Sequence, residues 1–383
     1  MKPIALSTIR KQNLRSILDL LTLSPSVTRQ ELSEATGLSL MSVTNLVDAL
    51  KEQQVLCFTP VQRDLDAGRA YGRKAELISL RGDTGAWLLV DISGRQFSLM
   101  LLGFDIKPIL EMKDEEKGGY LQRLERFLCK ARERMEDSLE GRTLLGVSVI
   151  TPGPYNISSD TVFNERVDEL NGVRIKSLLQ RCLGDYDYYV DEDVKFAVRT
   201  FQKQMEEEHC EVLYYLFLGE GVGGAAVHSG NMLRGHNATA GDAGQLTDPE
   251  GNTYESRLNL AAYARLLGLD GDAPPEKIRE EIENLRETEG EKCLKALEML
   301  AGVAAEMLYS ILWLLDPTHI IIDCRYAAPY TEEFSREVER RLEARFQPGH
   351  RSLPVISAAP QGVSSVLRGA VHVLQREWVE RKF

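Results

Sequence analysis

The sequence has few cysteines, and none of them lies close to another. The six cysteines of this 383-residue chain are widely scattered, and no Cys-x-x-Cys pair occurs. Zinc clusters and dithiol redox motifs are built on such pairs, so the sequence predicts neither. Isolated cysteines in a reducing compartment usually pack as small hydrophobic side chains.

Long apolar runs and a secretion signal are missing as well. No uninterrupted apolar run reaches the 18 or more residues that a membrane span needs. The first twelve residues lack the apolar core of a signal peptide. The composition, 43% hydrophobic and 27% charged, is that of a globular protein. The sequence therefore predicts a cytoplasmic protein whose length requires two or three domains.

Acidic residues outnumber basic residues in the whole chain, but not in its first eighty residues. The net charge is −12, yet residues 1–80 carry ten Lys and Arg against eight Asp and Glu, a net charge of +2. The remaining residues therefore carry −14. This asymmetry is compatible with a small nucleic-acid-binding module joined to a larger acidic domain.

The first eighty residues show the signals of three short helices. Apolar residues at helical spacing predict a first helix over about residues 10–23. Thr28 and Glu31 form a capping box that starts a second helix, and Gly37 supplies the left-handed residue that ends it. Ser39 then caps a third helix, whose apolar positions follow the i, i+3, i+4, i+7 rule.

Two short helices joined by a glycine-containing turn predict a helix-turn-helix, whose second helix would lie in the major groove of DNA. Two strands near residues 55–58 and 77–80 flank an Arg-rich stretch that would form a wing able to contact phosphates. The candidate DNA-binding residues are Thr28, Ser39, Ser42, Thr44, Asn45, Arg73 and Lys74, with Arg63 and Arg69 also in the wing. The alternative is a three-helix bundle with a hairpin that makes protein contacts only.

The remaining three hundred residues alternate strands with helices, which predicts an α/β domain. A buried strand runs into Asp91-Ile92-Ser93-Gly94, and another opens into the glycine-rich run 219–224. Glycines at this density let a backbone approach a phosphate or a sugar and offer it N–H donors. A tight hairpin at a domain edge would give the same pattern.

These motifs, in this order and spacing, resemble the ROK family (repressor, open reading frame, kinase) in its xylose-repressor-like branch. The resemblance covers nearly the whole chain. Besides the helix-turn-helix and the two segments above, it rests on Pro152-Gly153-Pro154, Gly230, Gly235, the segment 240–245 and the segment 316–322.

The resemblance implies an N-terminal winged helix-turn-helix joined to an actin-like, ribonuclease-H-like, two-lobed sugar kinase fold. The expected domains are the DNA-binding domain at residues 1–80, a first lobe at 81–200 and a second lobe at 201–383. The last helix is expected either to stay with the second lobe or to return to the first.

Compared with the family's kinases, three positions depart from what phosphoryl transfer needs. The phosphate-binding turn, Asp-x-Gly-Gly-Thr in those kinases, reads Asp91-Ile92-Ser93-Gly94-Arg95 here. Glu192 takes the position of the aspartate base, one methylene longer. Asp323-Cys324 replaces the Gly-Gly turn on the adenosine side. The sequence therefore predicts no enzyme activity, with an active sugar kinase as the alternative.

The family's zinc ligands are also replaced, because Gln245 stands for the histidine and residues 246–254 contain no cysteine. We therefore expect neither a metal nor a cofactor. The residues expected to contact a sugar effector are Asn164, Glu192, Asp242, Gln245 and Glu255. Carboxylates and amides suit sugar hydroxyls, although solvated side chains around a degenerate pocket are the alternative.

The expected partners are double-stranded operator DNA, a sugar or related polyol, and a second copy of the chain in a homodimer or homotetramer. Residues 301–315 are a candidate for a long apolar helix and residues 363–378 for a terminal amphipathic helix, and both belong either to the core or to an oligomer interface. The function predicted is a repressor that senses a sugar, and a ligand-blind DNA-binding regulator is a further alternative.

Overall fold

The computed structural model describes residues 6–24, 26–60, 76–94, 96–163, 167–201, 210–345, 352–360 and 364–383. The chain divides into two compact units. Unit 1 comprises Met1–Asp193 and Gly369–Phe383, and unit 2 comprises Val194–Arg368.

Unit 1 opens with three helices and an antiparallel hairpin. These elements are α1 (Leu6–Leu23), α2 (Arg29–Thr36), α3 (Leu40–Glu52), β1 (Leu56–Pro60) and β2 (Glu76–Leu80). The capping box of Thr28 and Glu31, the left-handed Gly37 and the cap at Ser39 are present, so these sequence predictions are confirmed. The periodic apolar residues of α1 and α3 are buried, as their spacing predicts. Helix α1 begins before the predicted residue 10, since no glycine or proline interrupts residues 6–10.

The rest of unit 1 is built on a five-stranded sheet in the order β5-β4-β3-β6-β9. Its elements are β3 (Ala86–Asp91), β4 (Ser98–Gly103), β5 (Pro108–Lys113), α4 (Tyr120–Leu139), β6 (Leu144–Thr151), β7 (Tyr155–Asn156), β8 (Thr161–Val162), α5 (Ile175–Leu183) and β9 (Tyr188–Glu192). Strands β3, β6 and β9 are parallel, and β4 and β5 extend the sheet by antiparallel hairpins. Helices α4 and α5 supply the crossovers that parallel strands require and pack in one core with the sheet.

Unit 2 repeats this topology with a second five-stranded sheet, in the order β12-β11-β10-β13-β14. Its elements are α6 (Asp193–Ala197), β10 (Val212–Leu218), β11 (Val222–His228), β12 (Asn231–Met232), α7 (Tyr254–Leu258), α8 (Leu260–Leu266), α9 (Pro275–Thr288), α10 (Gly290–Leu315), β13 (His319–Cys324), α11 (Thr331–Glu343), β14 (Val355–Ala358) and α12 (Ser365–Lys382).

In both sheets the first strand in chain order lies at the centre. On one side it pairs with an antiparallel strand, and a second hairpin adds the edge strand. On the other side it pairs with a parallel strand, to which a further parallel strand is added. This duplicated arrangement is the one expected of an actin-like, two-lobed sugar kinase fold, so the predicted fold class is confirmed. Helix α12 begins in unit 2, and from Gly369 onward it belongs to unit 1.

Among the described residues, α10 is the one helix long and apolar enough to cross a membrane, with a mean hydropathy of 1.5 over its most apolar stretch. Charged residues such as Glu306 nevertheless interrupt its apolar sequence. Half of that stretch is buried in the protein, where α10 packs in the core of unit 2. This burial is typical of the core helix of a globular domain.

Candidate functional site

One face of α3 is open to solvent at the N-terminal end of the chain. Val43, Leu46, Val47 and Leu50 are buried on the inner face. On the outer face Met41 is 77% exposed and Leu40 is 54% exposed. Asn45 and Asp48 are also exposed on this helix. The second helix of the helix-turn-helix therefore presents both polar and apolar side chains to a partner.

The hydroxyl groups predicted to contact DNA make hydrogen bonds within their own helices or helix caps. The Oγ of Ser39 accepts a hydrogen bond from the backbone N–H of Ser42 at 3.2 Å, and the two hydroxyl oxygens lie 2.9 Å apart. The Oγ1 of Thr44 donates to the carbonyl of Leu40 at 2.8 Å. Thr28 is engaged in its capping box, in which hydrogen bonds lower the pKa of Glu31. Asn45 is therefore the candidate best placed to reach a base edge.

Arg29 is a structural residue of this domain that the sequence analysis missed. Its guanidinium donates to Glu76 at 3.3 Å and lies 3.8 Å from the carboxylate of Asp48. It also covers the ring of Phe58, 5.6 Å from the centroid. Arg29 thus links α2 to α3 and to the hairpin, through contacts between distant positions that leave no local sequence signal. Arg63, Arg69, Arg73 and Lys74 lie outside the described residues.

Helix α1 contacts the C-terminal helix within unit 1. Glu380 accepts hydrogen bonds from Lys11 at 2.9 Å and from Arg15. One turn along α12 the amide of Gln375 donates to the hydroxyl of Thr22 at 3.0 Å. His372 lies 3.3 Å from the carboxylate of Asp19. Polar contacts therefore fix the last helix of the chain against the first helix of the DNA-binding candidate domain.

The carboxyl edge of the sheet in unit 1 gathers three of the segments singled out in the sequence. Asp91 ends β3, Thr151 ends β6 and Glu192 ends β9. Register pairs Asp91 with Ile150 and Thr151 with Glu192, so the three lie along one edge. Ligands of parallel α/β sheets bind outside this edge. Glu192 is buried there with only 8% of its surface exposed.

The turn after β3 is closed by its own side chains. The Oδ1 of Asp91 accepts hydrogen bonds from the backbone N–H and the hydroxyl of Ser93, at 2.9 and 2.6 Å. Tyr120 donates its hydroxyl proton to the carbonyl of Ile92. The carboxylate that would face a phosphate or its metal in a kinase is therefore already engaged. Arg95 and Asn164 lie outside the described residues.

In unit 2 the glycine-rich run and the segment 240–245 pack directly on each other. The hydroxyl of Tyr214 donates to the carbonyl of Gly241 at 2.8 Å. A Cβ on Gly224 would collide with both of these oxygens, so only glycine fits there. Because of this close approach, Asp242, the residue after Gly241, lies near the start of β11.

Asp242 is half-buried, and its Oδ1 atom is buried with no hydrogen-bond partner among the described residues. Burial raises the pKa of this carboxyl, although the N–H of Gly244 and the charge of Lys195 oppose the rise. Lys195 is fully buried and donates to the carbonyl of Ala238, a residue in the left-handed conformation. The sequence analysis missed Lys195, because no pattern distinguishes a lysine buried in a short helix from an exposed one.

Gln245 and Glu255 are brought together in unit 2. The amide of Gln245 donates to Oε2 of Glu255 at 3.0 Å. Glu255 lies in the first turn of α7, which Thr253 caps. The amide and the carboxylate are thus hydrogen-bonded to each other, and both groups can form hydrogen bonds with sugar hydroxyls.

The loop that carries zinc ligands in related proteins is closed here by a carboxylate. Asp248 accepts hydrogen bonds from the backbone and side chain of Asn252 and lies 3.0 Å from Arg257. Burial opposes ionisation of Asp248, but these contacts outweigh it and hold the pKa below its ordinary value. Within the described ranges no group of three His, Cys, Asp or Glu side chains could hold a metal. The residues of this loop therefore do not fit zinc.

The segment predicted to form a turn on the adenosine side, Asp323-Cys324, is the end of strand β13. Asp323 is buried, accepts a hydrogen bond from the hydroxyl of Tyr215 at 2.7 Å and lies 2.9 Å from Arg325. Cys324 is buried beside it, and burial raises the pKa of its thiol. The two residues that stand for the Gly-Gly pair of the family's kinases are therefore part of a strand and of the packed interior.

Comparison with known proteins identifies the class of this fold. The family model described as the ROK family matches residues 89–377, three quarters of the chain. The chain belongs to the ROK family. A xylose repressor from Caldicellulosiruptor bescii is 23% identical over 239 residues, which are 61% of this chain and 57% of that protein. The alignment thus spans little more than half the length of that relative.

Solved structures show the same fold. A ROK family transcriptional regulator, described as a homologue of the E. coli MLC protein, superposes with a TM-score of 0.63 at 15% identity. That match covers 98% of each chain, so it includes the N-terminal helices. A ROK family protein from Streptococcus pneumoniae in complex with sucrose has a TM-score of 0.58 at 19% identity. It covers 78% of this chain and 100% of that one.

Proposed function

We propose that this protein is a DNA-binding transcriptional repressor whose sugar-kinase-like domain senses a sugar or a sugar derivative. The observation that carries the proposal is the exposed face of α3, held by the capping box of Thr28 and the turn at Gly37. Two helices in this arrangement are the helix-turn-helix geometry, in which the second helix enters the major groove. The xylose repressor and the MLC homologue support the same function.

Recognition of DNA is assigned to the outer face of α3. Asn45 reads a base edge, because an exposed amide can donate to and accept from adenine in the major groove. Met41 and Leu40 pack against thymine methyl groups, and the hydroxyls of Ser39, Ser42, Thr44 and Thr28 position the helix against phosphates. Arg73 and Lys74 supply phosphate contacts from the wing.

The effector is bound by polar side chains of the kinase-like domain. The buried Oδ1 of Asp242 can accept a hydrogen bond from a sugar hydroxyl. Gln245 and Glu255 supply an amide and a carboxylate that are hydrogen-bonded to each other. Glu192 and Asn164 are the other residues that the sequence predicts to contact a sugar. The sucrose in the S. pneumoniae structure supports a sugar as the class of ligand. An effector weakens operator binding only if it prefers one conformation of the protein over another.

The same domain is proposed to lack kinase activity. Asp91 accepts hydrogen bonds from Ser93, and Asp323 and Cys324 put buried side chains at the end of β13, where the family's kinases have Gly-Gly. Glu192 remains at the sheet edge, and this observation favours a kinase. An assay of ATP consumption with a panel of sugars separates the two functions, and turnover dependent on Glu192 would establish the kinase.

The proposal is tested by two matched asparagine variants. Asn45→Ala should weaken binding to the upstream intergenic DNA by a factor of about 5 to 150, since one good base contact contributes about 1–3 kcal/mol. Asn231→Ala makes the same change at an exposed position of β12 and should leave affinity unaltered. Equal affinities for both variants in fluorescence anisotropy would remove α3 from the DNA interface.

A further inference from the structure

Helices α4 and α5 pack against each other in unit 1, and each carries one cysteine at this contact. Cys129 lies on α4, and Cys182 lies on α5, 53 positions later in the sequence. An ion pair of 2.5 Å joins the same two helices. It links Glu125, one turn before Cys129, to Arg181, the residue before Cys182. The ion pair therefore holds α4 and α5 together at the level of the two thiols.

The two thiols are in contact. Those of Cys129 and Cys182 are hydrogen-bonded to each other. Burial raises the pKa of the Cys182 thiol to about 11, and the neighbouring Cys129 adds to the rise. No short sequence motif connects two positions so far apart, so the sequence analysis treats both cysteines as isolated. The fold instead brings them together as a dithiol.

The two thiols differ in their access to solvent. Cys129 is exposed, whereas Cys182 is only 4% exposed and belongs to the core of unit 1. The thiolate is the nucleophile in the oxidation of a thiol, and an apolar environment disfavours it. Cys129 is therefore the thiol that a reagent in solution reaches, and Cys182 is the thiol that lies behind it.

Neither a metal nor simple packing accounts for the pair. Structural zinc takes four ligands, and in the part of the chain that the structure describes no group of three His, Cys, Asp or Glu side chains could hold an ion. Packing accounts for the buried Cys182 but not for the exposed Cys129. An exposed thiol next to a second thiol is typical of redox-sensitive sites, in which the second sulfur reacts with the oxidised first one.

We propose that Cys129 and Cys182 form a reversible disulfide between α4 and α5 when the protein meets a hydroperoxide. In a reducing compartment such a disulfide is transient, which suits a response to an oxidant and not a permanent structural link. The proposal stands on these two helices and is independent of the function proposed above.

The reaction balances in two steps. In the first, the sulfur of Cys129 attacks one oxygen of hydrogen peroxide. The S–O bond forms as the O–O bond breaks, water leaves, and Cys129 becomes a sulfenic acid. In the second, the sulfur of Cys182 attacks that of Cys129, and the S–S bond forms as the S–O bond breaks. The thiol proton of Cys182 leaves with the hydroxyl group as a second water, so the two thiols lose two electrons and one peroxide becomes two waters.

The test treats the reduced full-length protein with hydrogen peroxide, alkylates the remaining thiols under denaturing conditions and counts them by mass spectrometry. The count should fall from the six thiols of the chain to four, and dithiothreitol should restore all six. Trypsin should release peptides 127–130 and 182–195 as one cross-linked product, because each contains one of the two cysteines.

Matched variants separate this pair from other oxidation. Cys57→Ser removes the other exposed cysteine and should still lose two thiols. Cys129→Ser should form no disulfide, and its result does not depend on repacking of the core because the position is exposed. In Cys182→Ala the oxidation should stop at the sulfenic acid of Cys129, which dimedone traps. Six free thiols after peroxide, a disulfide that joins two copies of the chain, or an equal loss of thiols in Cys129→Ser would overturn the proposal.

Discussion

The side chains of Lys11 and Glu380, 369 positions apart in the sequence, meet at 2.9 Å. Arg15 donates to the same carboxylate, which is 41% exposed. The last helix of the chain is thereby attached to the first helix of the DNA-binding candidate domain. Both residues belong to unit 1, since α12 is part of that unit from Gly369 onward.

Removing the charge of Glu380 should loosen this attachment more than it lowers global stability. We expect Glu380→Gln to cost less than about 1 kcal/mol in the free energy of unfolding, because exposed ion pairs contribute little. Hydrogen exchange of the amides of α1 should nevertheless accelerate, since local opening becomes easier. Glu377→Gln, one turn earlier on α12, is the control. Unchanged exchange in Glu380→Gln would show that the pair does not hold α1.

Gly37→Ala should destabilise the N-terminal domain by about 1 kcal/mol, the cost of a left-handed conformation for a residue with a Cβ. Gly37 has a φ of +67°, and a Cβ there would meet no atom within 4 Å, so the cost is conformational and not steric. Gly37→Asn should cost less, because asparagine tolerates this conformation. Thermal unfolding followed by circular dichroism measures both, and equal stability of the alanine variant would contradict the assigned turn.

The elements with local signals were predictable from the sequence, and the contacts between distant positions were not. Thr28, Glu31, Gly37 and Ser39 act within a few residues of one another, which is why the helix boundaries followed from their spacing. The alternation of strands and helices similarly indicated the α/β fold. Arg29, Lys195 and Glu380 acquire their partners only when the chain folds, so neither the buried lysine nor the attachment of α12 had a signature. The hydroxyls of Thr28, Ser39 and Thr44 were predicted to contact DNA because they are polar. In the structure they make hydrogen bonds within their own helix ends, and the sequence spacing already indicated the bonds of Thr28 and Ser39.

Asp242→Asn should stabilise the protein at neutral pH but not in acid. The pKa of Asp242 is raised, chiefly by burial, so the folded state favours the protonated carboxyl. The stability due to this group is therefore fully present below the ordinary pKa of 3.8 and is lost as pH rises through the raised value. Asparagine avoids that loss, so the difference in unfolding midpoint should appear between pH 3 and pH 7. The exposed Asp137→Asn should show no such difference, and a pH-independent effect of Asp242→Asn would contradict the assigned burial.

Chelation should leave the stability unchanged, because Asp248, Asn252 and Arg257 close the loop without a metal. Replacing Asp248 by Ala should cost about 1–3 kcal/mol, since the hydrogen bonds that this buried carboxylate accepts from Asn252 and its ion pair with Arg257 are lost. Glu250→Ala, an exposed carboxylate in the same loop, is the control. A fall of the unfolding midpoint in EDTA, reversed by zinc, would contradict this description of the loop.

The central claim is tested most directly by titrating the protein against the intergenic DNA upstream of its own gene, at two salt concentrations, with and without a panel of sugars. The account predicts tight binding that weakens steeply between about 50 and 200 mM salt, as phosphate contacts require. It also predicts that one sugar or sugar derivative lowers the affinity further. Binding that no sugar alters would leave a ligand-blind regulator, and the absence of specific binding even at low salt would contradict the assignment as a repressor.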